Sequence, residues 1–268
     1  MRPWLHWLAL WEFSPAIWAL CGLAVLLYVW MPGARRDRRA LAWVVGVVVV
    51  LLALESPVDV VGERFLFSVH MGQHLLLAMV APPLLTRGLP DATVDWLLRS
   101  PAAPVIRALV QPVLAVTVYF LSLILWHLPG PLDYSLGNPA VYLLQHFTFL
   151  AIGLCFWWAI VIHREGESWN LGAIGEVVYL TCGALPAVVV GLTLALLPTA
   201  IYGVYAHRSA LLGVSAVGDQ HLGGLMMFGF DNLLMVGVAG FYFWRLFPPD
   251  GADDQLELLS RPDRERRA

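Results

Sequence analysis

Seven apolar runs, most of them about 20 residues long and separated by charged or Pro/Gly-rich breaks, constrain this chain more than anything else in it. They lie at about 15–31, 41–55, 65–86, 105–127, 139–162, 172–197 and 217–244. A hydrocarbon core of about 30 Å takes about 20 apolar residues of helix to cross. Inside lipid every backbone amide needs an internal partner, so such runs form helices. The expected fold is all-α: a polytopic membrane protein, a bundle of seven transmembrane helices over residues 1–247. Residues 248–268 read as a charged, disordered tail. The chain is 59% hydrophobic and 13% charged, so a lipid bilayer is its first partner. The net charge of −3 lies in the loops and identifies no ligand; nothing indicates nucleic acid.

Loop charges set the expected orientation. All sixteen cations are Arg. Arg35, Arg36, Arg38, Arg39, Arg87, Arg99, Arg107, Arg164 and the tail arginines fall on one set of loops. The other set holds Arg2, Arg64 and Arg208. This predicts N-out/C-in, with the tail in the cytoplasm. The first run is followed by a basic cluster and has no small-residue cleavage site, so it reads as a signal anchor. Residues 87–104 are expected to form a short interfacial helix capped by Asp91. Cys21, Cys155 and Cys182 are scattered without CxxC spacing, which indicates packing rather than a thiolate site.

Four histidines and an aspartate stand out against this background. Ionisable groups within a membrane span are costly and call for a functional explanation. At about 1.5 Å per residue, His70 and His74 lie about 22 and 16 Å from the cytoplasmic end of their run, and His146 about 24 Å from its own. His127 and Asp219 fall near the outer boundary. The set clusters in the outer half. His70 and His74 are four apart and share one helical face with Gln73, a common way to give one metal two imidazoles. Tyr142, Gln145, His146 and Phe149 form a second stripe at matching depth. Asp219, Gly223 and Met226 lie within about 40° of one another at 100° per residue, whereas His221 points about 200° away from Asp219. Gly223 and Gly224 invite a neighbouring helix to approach closely. Met71, Met226 and Met227 offer accessory thioethers suited to Cu(I), against the plainer reading of core filling. Hydrogen-bonding glue between helices is the plain reading of the histidines and Tyr142, and interfacial anchoring that of His127. Asp231 and Asn232 are deep in the last run without an evident role.

The stretches HMGQHLLLAMVAPPLLTRGLP, WHLPGPLD, QHFTFL with FWW, and GDQHLGGLMM resemble the signature segments of the CtaG family, over about residues 55–245. The resemblance implies a seven-span protein of the bacterial inner (plasma) membrane that serves cytochrome c oxidase assembly and handles copper. Its partners would be oxidase subunits or other copper chaperones. His70, His74, His127, Asp133, His146, Asp219 and Gln220 fall on the family's motif positions. The chain departs from the pattern at Leu132, where Tyr is usual, at Gln145 for Glu, at Tyr142 for His, and at His221 for Gln.

Three readings remain open from the sequence. One is a copper-binding assembly factor, with His70, His74, His146, His127 and Asp219 as ligands. The second is a b-type haem protein with axial histidines from different helices. The third is a scaffold without metal. The chain has no nucleophile–base pair, phosphate loop or dinucleotide fingerprint, so no enzyme activity is expected. No half-to-half repeat supports a transporter.

Overall fold

A computed structural model describes residues 10–244, and every regular element among them is helical. The predicted tail, 248–268, lies outside the described residues.

Each apolar run becomes helix. The first is α1 (Pro15–Tyr28), and the second is α2 (Arg38–Glu55) followed by α3 (Pro57–Arg64). The third is α4 (Phe67–Leu75), a wide π turn (Leu76–Val80) and α5 (Ala81–Gly88). Two short helices, α6 (Asp91–Arg99) and α7 (Ala103–Leu109), lead into α8 (Pro112–Trp126). Then come α9 (Pro129–Gly137), α10 (Pro139–Val161) and α11 (Gly172–Leu196). The last run follows the short α12 (Gly203–Arg208) and comprises α13 (Ala216–Met226), a second π turn (Met227–Asp231) and α14 (Asn232–Trp244).

Three helices are long and apolar enough to cross a membrane, or up to five if each bent pair counts as one span. The difference from seven has local causes. Helix α1 has only 14 residues. The third run is divided by its π turn and carries His70, Gln73, His74 and Arg87. Proline makes the bends: Pro57 opens α3 at 41° to α2, and Pro112 opens α8 at 60° to α7. Proline has no N–H and cannot continue the preceding helix. Large apolar side chains are exposed along the helices, among them Leu20, Leu23, Val113, Leu121, Leu144, Leu225, Leu233 and Val236. An apolar outer face of this extent is what a helix presents to lipid.

The π turn of the third run has a sequence cause. Ala81 N–H bonds to Leu76 O, one residue further back than in an α-helix. Pro82 and Pro83 follow, and neither can donate to the preceding turn. The carbonyl of Ala78, left without its helical donor, accepts from the Trp157 indole at 3.2 Å. The third run is central, packed by α2, α3, α10 and α13. Gly223 and Gly224 allow α13 its close approach. A Cβ at Gly224 would lie 2.6 Å from Ala195 N and Gly191 O, and one at Gly223 2.6 Å from the Phe67 ring.

Charge collects at one end of the bundle. Arg39 and Arg164 both bond to Asp91, at 2.6 and 3.0 Å, and Arg164 also reaches Asp95 at 3.0 Å. Arg107 pairs with Glu167 at 2.8 Å. Burial alone raises the Asp91 carboxyl, but hydrogen bonds from the two arginines overcome it and hold it below the ordinary carboxylate value. The Arg107 hydrogen bond likewise holds Glu167 low. Asp91 does not cap α6: Pro90 occupies the cap position and Asp91 is the first helical residue. Its side chain goes to the arginines instead. Within 87–104 the structure has the helix α6, and α7 opens the fourth run.

Candidate functional site

At the opposite end of the bundle the polar residues converge. The first turn of α4 begins at Phe67, and its amides need acceptors that the helix cannot supply. Asp219, from the first turn of α13, supplies them across the bundle. Its carboxylate accepts from Phe67 N at 2.6 Å, Ser68 N at 3.1 Å and Ser68 Oγ at 2.5 Å. A carboxylate at a helix N-terminus is favoured by both the free amides and the helix dipole. Asp219 therefore fixes where α4 starts, and with it the direction in which His70 and His74 project.

His70, His74 and His146 are brought together. One ring nitrogen from each lies within 4.8 Å of the others, and all three residues are buried. The His70 and His74 ring centroids are 4.2 Å apart, and His146 lies 5.4 Å from the first and 5.3 Å from the second. His127, at the end of α8, is next to this group, 5.4 Å from His74.

The hydrogen bonds set the ring chemistry. His146 Nδ1 lies 2.7 Å from Tyr142 O, and His127 Nδ1 2.6 Å from Leu123 O. A backbone carbonyl only accepts, so each Nδ1 carries the proton and each Nε2 presents a lone pair. Both Nε2 atoms are buried without a hydrogen-bond partner. So are both nitrogens of His70 and both of His74. The amide Nε2 of Gln145 is buried without a partner too. Buried polar atoms are ordinarily paired, and each one left unpaired costs about 1–3 kcal/mol. The remaining ring nitrogens of the cluster lie close together without hydrogen bonds between them. The donor set and its burial fit a metal ion that accepts imidazole lone pairs.

Tyr142 Oη lies 2.8 Å from Asp59 Oδ1 and 3.1 Å from Gln73 Oε1, and Gln73 Nε2 donates to Asp59 Oδ1 at 2.6 Å and to Ala53 O at 2.8 Å. This network ties α3, α4 and α10 together one layer behind the imidazoles. The sequence reading noted Gln73 and Tyr142 as stripe residues but missed Asp59, because 56–64 reads as a loop between runs. The signal was there: Ser56-Pro57 is a helix start, and Ser56 Oγ accepts from Val58 N at 3.2 Å.

The other motif residues have structural partners. Asp133 accepts from Gly203 N at 3.1 Å and so caps α12. Gln220 accepts from Ile201 N at 2.8 Å and donates to Thr199 O at 3.2 Å, holding the turn before α12. His221 bonds to Leu197 O at 2.8 Å, away from the cluster, as its helical angle predicts. Met226 packs on Gly72, on the side of α4 facing away from the imidazoles. Met71 and Met227 are buried, and with Met79 they line a cavity of 20 Å³ beneath His74 and His127. Asp231 closes that cavity and is 3.4 Å from Tyr119 Oη.

The family model described as cytochrome c oxidase caa3 assembly factor (Caa3_CtaG) matches residues 24–248. Two curated relatives are the uncharacterized protein Mb0105 of Mycobacterium bovis and the uncharacterized protein MT0111 of Mycobacterium tuberculosis. Each is 26% identical over 297 residues, covering 96% of this chain and 44% of the relative. The chain thus spans less than half the length of these relatives. No solved structure matches.

Proposed function

We propose, for a chain that belongs to the cytochrome c oxidase caa3 assembly factor family, that it binds copper in its buried imidazole cluster and hands it on during oxidase assembly. His70, His74 and His146 are the ligands, with the His127 ring next to them, 5.4 Å from that of His74. The observation that carries this is the set of six unpartnered imidazole nitrogens on four buried histidines. In this reading Asp219 acts through α4, since its oxygens already accept three hydrogen bonds. The protein spans the membrane N-out/C-in, with the Arg-rich end in the cytoplasm and the imidazoles toward the outer side. Copper is cargo, and the chain performs no catalysis on it. Neutral imidazoles with nearby thioethers suit Cu(I).

Haem fits less well. The rings pack edge to face or tilted at 4.2–5.4 Å, and the cavity beneath them is 20 Å³, which leaves no slot for a flat macrocycle. A visible spectrum with metal analysis of purified protein tests the choice: copper near one equivalent and no Soret band is expected. His70→Ala and His74→Ala should each lower retained copper and oxidase activity, and the double change should lower both further. His221→Gln should retain copper like the wild type. Wild-type copper in both alanine variants would overturn the reading.

A further inference from the structure

The imidazole cluster has an acidic approach. A cleft of 230 Å³ at the same end of the bundle is lined by Glu12, Glu55, Asp59, Glu63, Tyr142 and His146, among other residues. Its rim reaches solvent, with the Glu12 and Glu63 side chains 41% and 27% exposed. Its floor is buried: Glu55 is 1% exposed and His146 is 1% exposed. Among the described residues Arg64 pairs with Glu12 and lies 3.5 Å from Glu63, and Arg208 reaches the Glu63 carbonyl at 3.3 Å; the cleft lining itself holds four acidic residues and no lysine or arginine.

Glu55 is out of place by every ordinary rule. It ends α2, where a carboxylate opposes the helix dipole. Its Oε2 accepts from Ser14 N at 2.8 Å and Trp18 Nε1 at 3.2 Å, but Oε1 is buried in the cleft wall with no partner. His146 lines the same cleft, and its free Nε2 also belongs to the cluster. Glu55, with an unpaired carboxylate oxygen, and His146, with a free imidazole nitrogen and a place in the ligand set, thus line one cleft whose rim is exposed.

We infer that this cleft is a cation antechamber: Glu12 and Glu63 draw a metal cation in, and Glu55 Oε1 receives it before His146. This rests on the copper reading above. A cleft of one charge sign with low-dielectric walls concentrates counter-ions and speeds their association by about tenfold or more, an effect that salt weakens. The carboxylates here set the rate of loading, and the imidazoles set the capacity.

The test is stopped-flow uptake of Cu(I), supplied anaerobically in a weakly coordinating nitrile buffer, by the full chain in detergent. Glu55→Gln keeps an acceptor for Ser14 and Trp18 while removing the charge. Glu63→Gln, on the partly exposed rim, is the second variant and leaves the packed floor untouched. Both should bind as much copper as wild type at equilibrium. Both should load more slowly, Glu55→Gln by about tenfold, with a flatter dependence of rate on salt. If both variants load at the wild-type rate and salt dependence while wild type binds copper, the antechamber is wrong and the copper reading stands. If wild type takes up no copper, the copper reading fails and the antechamber falls with it.

Discussion

Asp219 separates a brace from a ligand, and its removal can be quantified. Asp219→Ala takes the acceptor from Phe67 N, Ser68 N and Ser68 Oγ in a buried setting. A hydrogen bond to a charged group contributes about 1.5–3 kcal/mol, and each buried donor left without a partner costs about 1–3 kcal/mol. The favourable charge at the α4 N-terminus is lost too, at about 0.3–2 kcal/mol. Three bonds to one carboxylate are not additive, so the expected loss is about 3–5 kcal/mol. Asp219→Asn keeps one acceptor oxygen and should lose less. The assay is reversible unfolding of the metal-free protein in detergent, followed by copper titration at a temperature where each variant is folded. A brace destabilises the metal-free protein and weakens copper binding only through the displaced His70. A ligand does the reverse, lowering copper affinity while leaving the metal-free fold intact. Metal-free stability of Asp219→Ala within about 0.5 kcal/mol of wild type would refute the bracing argument.

Gly224→Leu should destabilise by at least about 1–3 kcal/mol, because its side chain meets Gly191 O and Ala195 N, backbone that cannot rotate away. Gly229→Ala, with nothing within 4 Å, should not, and equal melting temperatures for the two would overturn this packing account. The Arg-rich end should show a small pH dependence. Asp91 and Glu167 are held low in the folded chain, so their contribution is complete above the ordinary carboxylate value and fades as pH falls through the lower folded values. Arg107→Gln should remove the Glu167 share from acid melting curves in detergent, and an unchanged acid limb would count against the pair.

The periodicity of His70, Gln73 and His74, and of Tyr142, Gln145 and His146, gave the two inward stripes directly. Both recur as buried faces because i, i+3 and i+4 positions coincide on any α-helix. The helical angle of Asp219 was legible, but its bonding was not. Whether a carboxylate meets a metal or a helix terminus depends on which segment starts opposite it, and that is a tertiary fact. Asp133 and Gln220 are the same case, since their partners at Gly203 and Ile201 are backbone amides that no sequence pattern marks. Three to five helices meet the length and composition of a span, against seven apolar runs, and one local cause lies at 110–112, where proline bends a run read as continuous. Glu55 was overlooked because it sits at the edge of a run, where a charge reads as a boundary.

The wide turn at Leu76–Val80 has one more consequence. It holds a residue beyond what a regular α-helical turn would hold, between the histidine half of the segment and the Pro82–Pro83 half. Each residue of an α-helix advances the face by about 100°. Deleting one of the five would let the segment close as a regular α-helix, and the wide turn with its Ala81 N–H to Leu76 O bond would be lost. Replacing one side chain there changes only local packing. What the wide turn requires is a count of residues more than their identity.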